Sequence, residues 1–241
     1  MNSHSQANNQ MPDALEFLKK IPLFTELDQE TSSDIAGRMQ YRTFGGGMTL
    51  FHQDMPGMTL YMIAEGYVRL YSIGQTGQEF TYYIYGPTEI FGELSLMDNG
   101  YHAATCITMT PTRIWLLSRD HLFDVLQKYP VVNIRLLRII ASRVRSTTRK
   151  AEAMAFQDVQ GRLAYELLNL GKKCVRQPMD EMLIDIPLNQ NDLASMVGAT
   201  RESINKALST FRSQNLIKMS GSNIVITDSV GLEKMLLERG R

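Results

Sequence analysis

The stretch that decides the fold of this chain runs from Asn189 to Phe211 and reads NQNDLASMVGATRESINKALSTF. It predicts two short helices separated by a turn at Gly198, because glycine adopts positive φ at little steric cost. Asn189 and Thr200 are residue types that cap helix N-termini, so we expect each of them to begin one helix. The buried side of this helix pair is predicted to consist of Leu193, Val197, Ile204 and Leu208.

Polar side chains near the start of the second helix form its outer face: Arg201, Glu202, Asn205 and Lys206. A recognition helix places its base-reading side chains at this position in the major groove. Arg201 can donate two hydrogen bonds to guanine O6 and N7, and Glu202 can accept one from cytosine N4. The alternative is an ordinary helical hairpin with a solvated charged face, and the flanking sequence bears on that choice.

Short alternating runs flank the two helices. Downstream, LIKMSGSNIVITD (216–228) places apolar residues on both sides of a Ser-Gly-Ser-Asn turn, which is typical of a β-hairpin. Upstream, MLIDIP (182–187) predicts a further short strand. Two helices, a strand and a hairpin in this order predict a winged helix-turn-helix and therefore DNA binding.

Length and composition fit a two-domain globular protein. The chain has 241 residues, which is enough for two separate cores. No apolar run approaches the roughly 18 residues that span a bilayer, so no membrane partner is expected. Residues 1–12 are polar and contain no signal-peptide core, so we expect a disordered tail and a cytoplasmic protein. Cys106 and Cys174 form no metal-binding spacing, and no metal site is predicted.

Charge is distributed unevenly along a chain whose net charge is zero. Residues 1–130 hold 8 basic and 14 acidic side chains, whereas residues 131–157 hold 6 basic and 1 acidic. Residues 158–241 hold 11 basic and 10 acidic side chains. An acidic first part and a basic later part are typical of a sensor joined to a phosphate-binding module.

Residues 13–130 combine a helical start with short strands. Residues 13–40 look helical, with a break at Pro22. From Tyr41 to Ser118, short alternating runs such as 60–64, 67–73, 79–85 and 112–117 are separated by glycines. This texture predicts a small antiparallel barrel or roll, whose mouth is a natural small-ligand site.

A long helix is predicted after Pro130, and its apolar residues recur at alternating spacings of three and four. Such a heptad seam favours a symmetric dimer, which would set two recognition helices on two half-sites. The alternative is a helix packed on its own roll. The predicted seam consists of Ile134, Leu137, Ala141, Val144, Thr148, Ala151 and Ala155.

Three local motifs in this order resemble the CRP/FNR superfamily of bacterial transcription regulators, most closely its cyclic AMP receptor branch. They are FGELSL (91–96), AFQDVQGRLA (155–164) and TRESI (200–204). The resemblance implies an α+β fold: an antiparallel β-roll of the cyclic-nucleotide-binding type, a long dimerisation helix and a C-terminal winged helix-turn-helix. It implies domains at 13–130, 131–157 and 158–241.

The resemblance also implies a DNA-reading role for the outer face. Arg201 and Glu202 would read TGTGA-like half-sites, with a third basic contact from Lys206. The cyclic AMP receptor branch carries arginine at that third position, so lysine loses the bidentate geometry there. Weaker contacts to phosphates are expected from Gln190, Thr200 and Ser209, and Asn205 is a further DNA-binding candidate on the outer face.

The implied effector site begins at Gly92, Glu93 and Leu94, where the family binds the ribose hydroxyl and places backbone amides. The family's phosphate-binding arginine comes ten residues after the glycine, but here that position is His102, followed by Ala103. Losing one charge-assisted contact costs on the order of 1.5–3 kcal/mol, or roughly ten- to hundredfold in affinity. Thr147 and Thr148 match the positions that contact adenine.

Several functions therefore stay open at this point. The effector is a cyclic mononucleotide, another small molecule such as a cyclic dinucleotide or a metabolite, or none, with DNA binding constitutive; haem is a minor alternative. No certain cofactor is assigned.

The sequence lacks a P-loop, GxSxG and HExxH, so no enzyme is predicted. Expected partners are double-stranded DNA, a second copy of the chain and RNA polymerase; the rival is a nucleotide-binding regulatory subunit.

Overall fold

The computed structural model of the protein describes residues 13–98, 100–174, 181–221 and 223–238. Two compact units are present. The first contains residues up to Val68 together with Tyr85–Ile140, and the second contains Arg69–Ile84 together with the chain from Ala141. The division thus falls inside the long helix and assigns one hairpin of the roll to the second unit. The domain borders at 130 and 157 stay predictions from the family resemblance, and the predicted tail 1–12 lies outside the described residues.

Helices of the first unit are shorter than the sequence suggests. In place of one helical stretch over 13–40, α1 (Ala14–Leu18) and α2 (Gln29–Gly37) are separated by turns. Pro22 has no N–H for a helical hydrogen bond, and Asp28 begins α2 by accepting a bond from Thr31 N at 2.8 Å. Two further helices follow later in the chain, α3 (Glu93–Met97) and α4 (Arg119–Lys128).

The predicted roll is confirmed by antiparallel strands. One sheet has the order β1-β8-β3-β6, formed by β1 (Gln40–Phe44), β3 (Thr59–Glu65), β6 (Ile90–Phe91) and β8 (Thr112–Ser118). A second antiparallel pair consists of β2 (Thr49–Phe51) and β7 (Thr105–Thr108). The runs 60–64 and 112–117 of the sequence are therefore strands.

The core of the first unit lies between this sheet and the helices. Trp115 on β8 is 2% exposed, and its ring lies 5.0 Å from that of Tyr41 and 6.2 Å from that of Phe17. Burying apolar area at about 25 cal/mol per Å² makes such packing the main stabilising term of the unit. Other buried members are Leu18, Leu23, Phe24, Leu60, Met62, Leu117, Leu122 and Val125.

The second unit contains the winged helix-turn-helix. Its helices are α6 (Val159–Cys174), α7 (Gln190–Val197), α8 (Arg201–Ser213) and α9 (Ser229–Glu238). Its sheet has the order β10-β11-β9, with β9 (Met182–Ile184), β10 (Ile217–Ser220) and β11 (Asn223–Ile226). The predicted wing is confirmed. The strand predicted over 182–187 ends at Ile184, because a turn follows in which Leu188 N donates to Ile186 O at 2.8 Å.

Two strands of the roll type also belong to the second unit. They are β4 (Val68–Ile73) and β5 (Glu79–Tyr85), apart from the outermost residue of each, and they match the predicted runs 67–73 and 79–85. Gly74 N donates to Gln78 O at 2.8 Å, and Gly77 takes up a φ of 82° in the turn. The hairpin is therefore closed by the glycines that the sequence places between the two runs.

The long helix α5 (Pro130–Phe156) confirms the predicted helix and leaves its apolar seam uncovered. Ile134, Leu137 and Val144 are 53%, 65% and 59% exposed. The smaller seam residues Ala141, Thr148, Ala151 and Ala155 are exposed as well. Among the described residues these seam positions are thus exposed, and the pairing of two such helices stays a prediction.

Candidate DNA interface and effector pocket

The helix-turn-helix is held by the local signals that the sequence provides. Asn189 Oδ1 accepts from Asn191 N and Asp192 N at 2.8 and 3.0 Å, and Asp192 Oδ2 accepts from Asn189 N at 2.9 Å. This reciprocal capping box begins α7. Gly198 ends α7 with a φ of 60°, and Thr200 begins α8 by accepting from Ser203 N at 3.2 Å. Both predicted caps and the glycine turn are confirmed.

The two faces of α8 differ as expected. Ile204 and Leu208 are 0% and 8% exposed, so this side of the helix belongs to the core of the second unit. The opposite face presents Arg201, Glu202, Asn205, Lys206 and Ser209, all of which are exposed. These five side chains are therefore open to a partner, while their contacts with DNA stay predictions.

Polar contacts already organise this exposed face. Arg201 Nε donates to Gln190 Oε1 at 2.7 Å, which joins the first residue of α8 to the first residue of α7. Lys206 Nζ lies 2.9 Å from Glu202 Oε1, and both side chains are more than three-quarters exposed. An exposed pair of this kind contributes little stability, so both groups can exchange partners readily.

A buried ion pair lies at the junction of α5 and α6. Lys150 Nζ is 2.7 Å from Glu166 Oε1, with side chains 13% and 10% exposed, and it also donates to Thr81 O at 2.9 Å. Burial raises the pKa of Glu166, while the charges of Lys150 and Lys173 lower it. This pair is not among the residues predicted from the sequence. Glu166 occupies a position in the apolar stripe of Leu163, Leu167 and Leu170, which was the available signal.

The hairpin β4–β5 contacts the helix-turn-helix within the second unit. Thr81 Oγ1 and Ser195 Oγ, the latter on α7, are 2.7 Å apart. Arg69 Nη1 donates to both of these hydroxyls, at 3.3 and 3.4 Å, and pairs with Glu79 Oε2 at 2.7 Å. The hairpin β4–β5 is therefore hydrogen-bonded to α7, the first helix of the DNA-binding motif.

The start of the predicted effector motif is tightly constrained. Gly92 has a φ of 86°, and a Cβ there would lie 2.8 Å from Thr59 O. Glu93 is 1% exposed, whereas Leu94 is 51% exposed. Glycine is thus required for the close approach of α3 to β3, and this approach buries the carboxylate that the resemblance assigns to ribose.

His102 is packed as a neutral aromatic side chain. It is 6% exposed, its ring stacks on Phe51 at 3.6 Å between centroids, and its Nδ1 lies 3.3 Å from Ser95 Oγ. Burial lowers the pKa of His102 below its ordinary value near 6.5. This shift favours the neutral form of the ring at neutral pH, and Ala103 beside it is exposed.

Thr147 and Thr148 lie on α5 in the second unit and are exposed. Thr147 Oγ1 is 2.5 Å from Tyr83 Oη, and Thr148 Oγ1 donates to Val144 O at 3.0 Å. Their predicted contact with an effector base stays a prediction. Within the described ranges, no cluster of metal-ligating side chains occurs and no helix is long and apolar enough to cross a membrane.

Roll, long helix and winged helix-turn-helix define a DNA-binding regulator with a sensor-type domain. Residues 41–129 match the cyclic nucleotide-binding domain, and residues 161–235 match the Crp-like helix-turn-helix domain. The chain belongs to the CRP/FNR superfamily and is a CRP-like transcriptional regulator, which is not an enzyme.

Similar proteins span nearly the same length. The CRP-like cAMP-activated global transcriptional regulator of Mycobacterium tuberculosis is 32% identical over 219 residues, covering 91% of this chain and 98% of that protein. The cyclic AMP receptor protein of Thermus thermophilus is 28% identical over 218 residues, covering 90% of this chain and 98% of that protein. The structure of FixK2 from Bradyrhizobium japonicum has the same fold, with a TM-score of 0.74 at 20% sequence identity. The match covers 82% of this chain and 96% of FixK2.

We expect the buried His102 to make stability depend on pH. As pH is lowered through about 6.5, the unfolded chain takes up a proton on this histidine before the folded chain does. The free energy of unfolding therefore decreases as pH is lowered. The fall stops at the depressed pKa of the folded state, and its slope is at most about 1.4 kcal/mol per pH unit. Urea unfolding between about pH 7.5 and 5.5 measures it.

His102→Phe keeps a ring against Phe51 and removes the titrating group, so the variant should lose this part of the slope. His52→Gln, which changes an exposed histidine, serves as the control and should keep the wild-type slope. Equal slopes for wild type and His102→Phe would contradict the assignment.

Proposed function

We propose that this regulator binds DNA as a homodimer, reads TGTGA-like half-sites with Arg201 and Glu202, and responds to a small effector at its roll. The observation that carries the proposal is the exposed face of α8, where a guanidinium and a carboxylate stand at the first two helical positions. Arginine matches guanine and glutamate matches cytosine in the major groove. Lys206, one turn further along, adds a positive charge next to the same groove.

Dimerisation is supported by the uncovered seam of α5. Three large apolar side chains, Ile134, Leu137 and Val144, are more than half exposed along one side of this helix. A second copy of the same helix would bury them, with the small residues Ala141 and Ala151 allowing close approach. Two recognition helices would then meet two half-sites about one helical turn, or 34 Å, apart.

Effector control is supported by the FGELSL motif and by the relative from Mycobacterium tuberculosis, whose name describes it as cAMP-activated. Glu93 and the backbone near Gly92 would bind the ribose. The buried His102 favours a second candidate, a constitutive DNA binder whose pocket takes no cyclic nucleotide, because a neutral ring does not neutralise a phosphate. As a regulator of transcription, the protein would act in the cytoplasm and on RNA polymerase.

Arg201→Ala is expected to weaken binding to the preferred site by about 1–3 kcal/mol and to relax the preference for one guanine per half-site. Selection from randomised duplexes, followed by binding curves, measures both effects. Arg212→Ala removes the same charge from an exposed position at the other end of α8 and should leave the base preference unchanged. An unchanged preference in Arg201→Ala would refute the reading role.

Val144→Glu should convert the dimer into monomers, because it would place two carboxylates against each other in an apolar seam. Light scattering after size exclusion measures the mass, and affinity for a palindromic duplex should fall in parallel. Ser142→Glu adds the same charge at an exposed position of α5 outside the seam and should stay dimeric. A monomeric wild type would contradict the proposal at once.

Cyclic AMP is expected to bind the full chain and to increase its affinity for the preferred duplex. Glu93→Gln should weaken nucleotide binding by about ten- to hundredfold, since a charge-assisted hydrogen bond is lost. Calorimetry with cyclic AMP, cyclic GMP and cyclic di-GMP measures the first effect, and Glu65→Gln on the exposed end of β3 is the matched control. If no nucleotide changes DNA affinity, the constitutive binder is favoured instead.

A further inference from the structure

The first residues of the two helices of the motif are joined by one side-chain hydrogen bond. Gln190 and Arg201 are eleven positions apart, and Arg201 Nε donates to Gln190 Oε1 at 2.7 Å. Arg201 is exposed and Gln190 is half-buried. Glu202, the adjacent carboxylate, pairs with Lys206 instead. Among the described residues, Gln190 is therefore the polar partner that orients the guanidinium of Arg201.

This bond restricts how the guanidinium can meet a base. An arginine has five N–H groups in one plane, and it can approach guanine O6 and N7 with two different edges. One edge consists of Nη1 and Nη2, and the other includes Nε. Because Nε–H points at the Gln190 amide, the edge formed by Nη1 and Nη2 is left for a base.

The bond also limits the freedom of a flexible side chain. A free arginine side chain carries about 2 kcal/mol of rotamer entropy, part of which is lost when it is fixed on a base. Holding Nε before DNA arrives reduces the loss that accompanies guanine recognition. A contact with a phosphate would act differently, since it strengthens binding to every sequence equally.

We propose that Gln190 is a specificity-positioning residue, which orients Arg201 so that its Nη1–Nη2 edge reads one guanine in each half-site. The proposal rests on the proposed DNA-reading function and deepens it. It assigns Gln190 a role that depends on the base, in contrast to the phosphate contact expected from the family resemblance.

The test uses the full chain and the duplex that wild type selects from a randomised pool. A second duplex carries 7-deazaguanine at the guanine whose preference Arg201→Ala removes, which deletes the N7 acceptor. Gln190→Met keeps the side-chain length and introduces a residue that also favours helix, but it removes the amide oxygen that accepts from Arg201. Gln190→Glu keeps an acceptor and adds a negative charge. Asn191→Leu changes the next, exposed amide and is the control.

Wild type should prefer guanine over 7-deazaguanine by about tenfold or more. In Gln190→Met this ratio should fall at least about threefold, whereas in Gln190→Glu it should stay within about twofold of wild type while affinity drops on both duplexes. Asn191→Leu should keep the wild-type ratio. Thermal midpoints of all variants confirm that the fold is retained.

Two results overturn the proposal. An equal loss of affinity for both duplexes in Gln190→Met identifies a phosphate contact, and an unchanged affinity for both identifies a residue without a role. In either case Arg201→Ala still removes the guanine preference, so the proposed function survives. If Arg201→Ala keeps the preference, the proposed function itself fails and this inference fails with it.

Discussion

The position of the DNA-binding motif on the long helix depends on the buried pair of Lys150 and Glu166. Removing two charges from water costs several kcal/mol per ion, and their attraction offsets this cost only in a well-aligned geometry. That geometry is present, with 2.7 Å between the ions and a further hydrogen bond from Lys150 to Thr81 O. Loss of either partner would leave a buried charge without its nearest opposite charge, so α5, α6 and β5 are held together by electrostatics as well as by packing.

Hydrogen bonds connect the hairpin β4–β5 at this junction with the recognition helix. Thr81 binds Lys150 through its carbonyl and Ser195 through its hydroxyl, and Ser195 lies in the first helix of the motif. The Gln190–Arg201 bond then links the start of that helix to the start of α8. The hairpin and the two helices of the motif are thus joined by a series of hydrogen bonds that ends at Arg201.

Much of the DNA-binding half could be predicted from the sequence because its determinants are local. Asn189, Gly198 and Thr200 each act within three or four residues, and capping and positive φ leave a clear pattern in residue types. Residues 13–40 were less predictable. Their apolar residues pack in the core from turns as well as from helices, so burial there does not follow the helical period.

Contacts between residues far apart in the chain could not be predicted in this way. Gln190 meets Arg201 only after the turn at Gly198 brings two helix starts together, and Lys150 meets Glu166 only after α6 folds back. The burial of Glu166 could be inferred from its position in an apolar stripe, but nothing in the sequence indicated that Lys150 is its partner. At His102 the absence of the family's arginine is visible in the sequence, whereas the stacking on Phe51 depends on how β2 and the segment before β7 pack.

The surroundings of His102 bear on any proposed effector that carries a phosphate. Arginine stays charged at every physiological pH, so it meets a phosphate without taking up a proton. His102 is neutral when it is stacked on Phe51, and an anionic ligand would have to raise its pKa against the effect of burial. A contact between a phosphate and a charged imidazolium at this position would therefore require proton uptake, whereas the neutral ring can donate only one N–H to the phosphate. A proposed ligand that uses Glu93 and the aromatic rings without such a contact would meet no comparable penalty, so the charge of the ligand would determine how well it fits this part of the roll.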